Sequence, residues 1–230
     1  MDATFFICWA AILAFDGVLM GTLTWAATSE RYAALREKPP QSPPIEPKLK
    51  KINTQLNNVF SLLIFGFFFY YFGDARLYKG WPGTAHLVGE VLGVLLLYDF
   101  MYYFFHRFMH LRGVMRYCHN VHHRVRSPLA NESIFLNPLE TLGGLGLFCL
   151  AIIILGPIST TSFLVAFFLH STINLIVHSN LVIPHPAFRL FNFWVETHNV
   201  HHQRARNNYA SIFPFWDQMF GTAERGGKSS

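Results

Sequence analysis

Charge is what this chain has least of. Only 13% of its 230 residues are charged, against 52% hydrophobic residues and 24 phenylalanines. A soluble domain carries about a quarter charged residues, so the excess apolar surface has to meet lipid or a partner. Cysteine is scarce as well: Cys8, Cys118 and Cys149 are widely spaced and form no pair motif. That excludes a disulfide framework and a zinc knuckle and leaves three small apolar side chains. There is no glycine-rich nucleotide fingerprint and no haem-binding domain in the sequence. The start, Met1-Asp2-Ala3, lacks the Lys or Arg of a signal-peptide n-region, and the first apolar run is therefore expected to be a retained span.

What charge there is has one sign. The formal net charge is +5 and the pI about 9.2. A nucleic-acid binder would gather its Lys and Arg into a patch on a soluble fold; here they sit between long apolar runs, and no nucleic-acid partner is expected. Those runs, at about 5–27, 56–73, 85–105, 138–156 and 158–177, are each long enough to cross a bilayer, which takes roughly 20 helical residues. They predict an all-α, multi-spanning membrane protein with about four or five transmembrane helices. Gly156-Pro157 predicts a tight hairpin between the last two.

The Pro- and Lys-rich stretch 28–55 reads as an extended connector. With five spans, this connector, the 106–135 segment and the tail after 177 all fall on one side, and that side collects 16 of the 18 Lys and Arg residues, with only Arg76 and Lys79 opposite. The positive-inside rule makes it cytoplasmic. The chain divides into N-terminal spans (1–84), a histidine-bearing domain (85–222) and a tail (223–230) expected to be disordered.

Histidine is abundant, with twelve in the chain. His106 and His110 are four apart at the end of the third span, and on a helix that spacing puts both on one face. His119, His122 and His123, and again His198, His201 and His202, follow the spacing i, i+3, i+4. Indeed 119–123 and 198–202 are the same five letters, His-Asn-Val-His-His. His178 ends the fifth span on the same side. Neutral imidazole suits iron, zinc and copper, and these nine side chains would serve two metals of four to five ligands each. One His at an interface is an ordinary anchor; two H-x-x-H-H clusters and an H-x-x-x-H on one side point to a metal site. His86, at the opposite end of its span, His170, mid-span, and His185, in a loop, are left outside the set.

Asp99 lies two turns deeper than His106 on the same face. A carboxylate inside a span is costly and is read as functional, here as the acceptor for the N–H of a ligating His, with Arg107 as the competing partner. Glu140, Glu196, Asn131 and Asn208 are weaker candidates for the same task. Tyr98, Tyr102 and Tyr103 read as interfacial aromatics, and Trp216-Asp217 as a structural closure of the cap.

In order, these boxes, with His178-Ser179-Asn180 and the tail pattern Asn208-Tyr209, Pro214-Phe215-Trp216-Asp217 and Phe220-Gly221-Thr222, resemble the fatty acid hydroxylase/sterol desaturase superfamily over about 85–222. The resemblance implies a cytoplasmic histidine-rich cap, a non-haem centre of two Fe ions, and hydroxylation, desaturation or demethylation of a sterol or fatty acyl lipid with O2. It also implies a separate electron donor, a cytochrome b5-type or ferredoxin-type carrier with its reductase. The membrane would be the endoplasmic reticulum of a eukaryote or the cytoplasmic membrane of a bacterium. Some members place a further His one turn before the residue matched to His178; Asn174 stands there in this chain, so the site has one ligand fewer or uses Asn174 through its oxygen or a water. Zinc accepts the same imidazoles and can occupy such a site in purified protein. The alternatives left open are a zinc-binding membrane hydrolase and a non-catalytic metal- or lipid-binding membrane protein.

Overall fold

The computed structural model describes residues 1–39 and 44–224. Five helices are long and apolar enough to cross a membrane: α1 (Ala3–Thr28), α2 (Pro47–Tyr71), α4 (Thr84–Met109), α6 (Pro138–Leu155) and α7 (Thr160–Val177). Among the described residues, four shorter helices join them: α3 (Gly73–Arg76), α5 (Arg112–Cys118), α8 (Arg189–Arg204) and α9 (Phe215–Met219). The fold is thus the all-α, multi-span architecture expected. Its start signals are ordinary ones. The Asp2 carboxylate accepts from the Phe5 amide at α1, Asn137 accepts from Leu139 at α6, and Ser159 accepts from Ser162 at α7.

One boundary moves. The connector expected over 28–55 is shorter, because residues 30–35 form a 3-10 turn and α2 begins at Pro47. Proline is favoured in the first helical turn, where its missing N–H is not needed. Pro40 and Pro43 lie outside the described residues, as does the expected tail from 225 on; Ala223 and Glu224 are bonded to Asp217 and Asn208.

Helices α4, α6 and α7 form the centre, with α2 on α6 and α1 on α7. Phe148, Phe163, Ala166, Val94 and Ile152 are fully buried between them. The outer faces carry exposed Phe67, Val18, Leu63 and Ile154, the surface a bilayer would cover. At the end away from the histidines, Leu77–Tyr78 pair in parallel with Ile158–Ser159. At the histidine end α5, α8, α9 and the loops form a polar cap.

The N-terminal spans are tied to that cap. Lys50 bonds Glu132 at 2.8 Å and Asn131 at 2.9 Å, and the Asn53 and Asn57 amides donate to the Leu136 carbonyl. Asn180, in a left-handed conformation, exchanges hydrogen bonds with the backbone of Lys38.

Candidate metal centre

The nine histidines converge as two groups. His106, His110, His119, His123 and His201 form one; His122, His178, His198 and His202 form the other. In the first, five Nε2 atoms close a ring: 106 to 119 at 3.1 Å, 119 to 123 at 3.0 Å, 123 to 201 at 3.2 Å, 201 to 110 at 3.2 Å and 110 to 106 at 3.3 Å. In the second, His178 Nε2 lies 3.4 Å from that of His122 and 3.0 Å from that of His198, which is 3.1 Å from His202.

The repeated pentapeptide is divided between the groups. His119 and His123 enter the five-membered group while His122 enters the other; His198 and His202 enter the four-membered group while His201 crosses back. On a helix of 3.6 residues per turn, i and i+4 align and i+3 points about 100° away from i+4. Helix α8 applies this directly. The 119–123 stretch is not a continuous helix: α5 ends at Cys118 and His122–Arg124 form a 3-10 turn. The single shared face expected for each box therefore does not hold, and one box feeds both groups.

Backbone carbonyls set the ring tautomers. Nδ1 of His106 donates to the Tyr209 carbonyl at 2.8 Å, His178 to Asn174 at 2.7 Å, His201 to Asn207 at 2.6 Å and His202 to Val125 at 2.7 Å. His119 Nδ1 lies 2.9 Å from Glu140 Oε1, both buried, at ion-pair distance though out of line for a straight hydrogen bond. With protons on these Nδ1 atoms, the Nε2 atoms of His106 and His119 meet as two lone pairs at 3.1 Å. The ring of five contacts then has protons only from His110 and His123 to share. Lone pairs gathered this closely need a cation between them, and second partners of this kind are how proteins orient metal-bound imidazoles. The donor set fits two imidazole-ligated metal ions.

The electrostatics agree. Burial, reinforced by the other rings, holds His119, His122, His198, His201 and His202 well below the usual imidazole range. Burial first, then His201 and His123, takes His110 down to about 2, and burial takes His123 and His178 to about 4. The rings are neutral at pH 7, the form that binds metal.

Asp99 is not where the sequence suggested. Its oxygens accept from the backbone amides of Ser211 at 2.8 Å, Ile212 at 3.0 Å and Phe213 at 2.7 Å, and touch no imidazole. Asp217 accepts likewise from Tyr209 at 2.7 Å and Ala210 at 2.9 Å. Together the two carboxylates fold the 208–217 segment so that the Tyr209 carbonyl reaches His106.

Of the weaker candidates, Glu140 meets an imidazole, Asn131 bonds Lys50, Asn208 bonds Thr197 and Glu224, and Glu196 is exposed. Tyr98 and Tyr103 are buried, not interfacial, and the Tyr103 hydroxyl meets Thr222 at 2.9 Å. His170 packs on Tyr98 and Phe148, outside both groups, and His185 caps Ala187 in its loop. Asn174 serves through its backbone carbonyl on His178, and its residue also lines the cavity described next. The four carbonyl partners had no side-chain signal in the sequence; only the Asn208-Tyr209 and Asp217 pattern hinted at them.

Both groups border a cavity of about 560 Å³, reached by His106 from the first and by His122, His178 and His198 from the second. It runs from the histidines into the membrane-spanning region, with Trp9, Phe65 and Phe167 packed together at its far end. There α1 and α2 meet through rings, Trp9 on Phe69 at 5.4 Å and Phe5 on Phe69 at 5.5 Å. Along the bundle α1 packs on α7 and α2 on α6. The partly or well exposed Gly17, Met20, Asn58 and Leu62 edge the cavity between α1 and α2, facing the surface lipid would cover.

Five apolar spans, a cap of nine inward-turned imidazoles in two groups that could each hold a metal ion, and an adjoining cavity define a multi-span membrane protein with a histidine-rich cap. The fatty acid hydroxylase family model matches residues 91–222, and the chain belongs to that family. It is 32% identical over 165 residues to methylsterol monooxygenase 1 of Gallus gallus, covering 70% of this chain and 55% of that protein. It is 33% identical over 144 residues to the Rattus norvegicus protein of the same name, covering 61% and 48%. It is 31% identical over 146 residues to a cholesterol 25-hydroxylase-like protein of Danio rerio, covering 61% and 58%. The chain thus spans about half the length of the curated relatives it matches. No solved structure matches it.

Proposed function

We propose that the protein is a membrane-bound, non-haem di-iron oxygenase that hydroxylates or desaturates a lipid of sterol or fatty acyl type, using O2 and electrons from a separate donor. The observation that carries this reading is the direction of the Nε2 lone pairs: nine imidazoles turn them into two adjacent groups, and both groups border a cavity that extends between apolar spans. His106, His110, His119, His123 and His201 would hold one iron, and His122, His178, His198 and His202 the other. Two irons held so would supply the activation of O2 for attack on an unactivated C–H bond. The chain's own part is positional. The carbonyls of Tyr209, Asn174, Asn207 and Val125 hold the rings in register, and the cavity walls present the lipid and keep bulk water away. The names of the relatives favour a sterol; the cavity's width and its edge between α1 and α2 suit a lipid entering sideways from the bilayer.

Two finer points belong to the same reading. The histidine cap faces the cytoplasm, supported by the concentration of Lys and Arg on that side. Its basic surface, including Arg112, Arg116 and Arg124, suits an acidic electron carrier. The test is metal content per chain on detergent-purified protein, beside a His122→Ala variant. About two irons, lost in part in the variant together with lipid oxidation, support the oxygenase. Zinc alone, surviving purification in reducing, iron-replete conditions, would replace it by a hydrolytic or structural site.

A further inference from the structure

One carboxylate in the cavity has no part in the metal centre. Asp16 stands at the middle of α1, outside the region the family model covers, and its side chain lines the cavity. A carboxylate at that depth is costly unless its lone pairs are met. What meets it is little: Thr172 Oγ1 donates to Oδ1 at a long 3.4 Å, with Ser171 beside it. No Lys, Arg or His approaches it among the cavity-lining residues on α2, α6 and α7, apart from the ring of His170 packed on Tyr98. The site is therefore an acceptor, half-buried, facing space rather than protein, and short of donors.

We propose that Asp16, with Thr172 and Ser171, binds a hydroxyl group of the lipid that occupies this cavity, an inference that rests on reading the cavity as the lipid site. A hydroxyl is the donor that fits. It brings a hydrogen to the carboxylate at little cost of burial, while Thr172 keeps its own on Oδ1. Thr172 lies six residues before His178 on α7, which at about 1.5 Å per residue is roughly 9 Å along the helix. The lipid is thus held by its hydroxyl less than two turns below the histidines, and the carbon presented to them is not the one that carries the hydroxyl.

The test is equilibrium binding to the purified, metal-containing protein in nanodiscs, without reductant. Two probe pairs are compared: cholesterol against cholestane, and 1-hexadecanol against hexadecane. In at least one pair the alcohol should bind about tenfold more tightly or better, as expected of a hydrogen bond to a charged group. Asp16→Leu should erase that preference and leave alkane affinity and metal content unchanged. Asp16→Asn, which keeps a neutral acceptor, should lower the preference part of the way and decides the matter if the Leu variant does not fold. No preference in either pair, or a preference unchanged in these variants, overturns the proposal. So does tighter binding of hexadecylamine than of hexadecanol, which would assign the site to an ammonium group. Because the readout is binding, a protein that takes up alcohols and oxidises none would sink the oxygenase reading and leave this one standing.

Discussion

The two histidine groups use one pentapeptide in opposite senses, and they differ in what surrounds them. The five-membered group takes the outer pair of the first box and the middle ring of the second; the four-membered group takes the reverse. The first has Glu140 behind His119 and only His106 reaching the cavity, whereas three of the four rings in the second border it. On the proposed reading, fewer rings and a shared wall with the cavity make the four-membered group the one that would keep a position open for a reacting partner. The five-membered group is better built for retention. One repeated motif thus yields two unlike centres because its partners differ.

The largest test of that contrast removes one ring of the second box from each group. His202→Ala leaves three imidazoles in the smaller group, and His201→Ala leaves four in the larger. The His202 variant should lose about one metal per chain and essentially all turnover, exceeding the roughly 10–100-fold cost of removing even a ligand's hydrogen-bond partner. The His201 variant should keep more of its metal. Metal analysis beside product formation measures both, and equal losses would dissolve the distinction between the groups.

Glu140→Gln probes the five-membered group alone. Replacing the carboxylate next to His119 Nδ1 should weaken metal retention there by about 10-fold or more and leave the other group filled. Chelator competition should then release one metal early and one late. Simultaneous release would mean Glu140 supports the whole cap rather than one centre.

Acid, by contrast, should not tell the groups apart, since each has a ring held at about 4, His123 in one and His178 in the other. Both sit below the ordinary imidazole value of 6.5. Between those values the unfolded chain binds protons that the folded chain refuses, so folding stability is present above 6.5 and is lost as pH falls toward 4. The thermal midpoint of metal-free protein should be flat from pH 8 to about 6.5 and decline below it. A midpoint that rises on acidification would contradict the burial of these rings as neutral groups.

How much of this was legible depends on what kind of interaction carried it. Spacing alone named the nine rings and the spans, because apolar runs and i, i+4 pairs leave a mark in the letters. The split of each box was not legible, since it depends on α5 ending at Cys118 and on the 3-10 turn at His122. Nor were the carbonyls of Tyr209, Asn207, Val125 and Asn174, because every residue has a carbonyl and only the fold aims one. The early start of α2 was masked by its polar first turns, whose Lys50 and Asn53 look like connector but bond the cap. Residues 1–84 carried no motif, yet they supply Asp16 and much of the cavity wall.

Asp99 makes the smallest and sharpest prediction. Read from its position, it should hold an imidazole, and Asp99→Asn should then loosen metal directly. The structure gives its oxygens to three amides at 211–213, two residues and more from the Tyr209 carbonyl that orients His106. The Asn side chain retains one acceptor oxygen and introduces an N–H2 against backbone donors, so part of the charged hydrogen bonding, about 1.5–3 kcal/mol per bond, is lost. The expected result is a lower thermal midpoint and faster proteolysis of the 205–224 segment. Metal should be weakened only in the five-membered group, and less than by Glu140→Gln, because His106 alone is affected through Tyr209. Loss of metal from both groups with the midpoint unchanged would return Asp99 to direct contact with the centre.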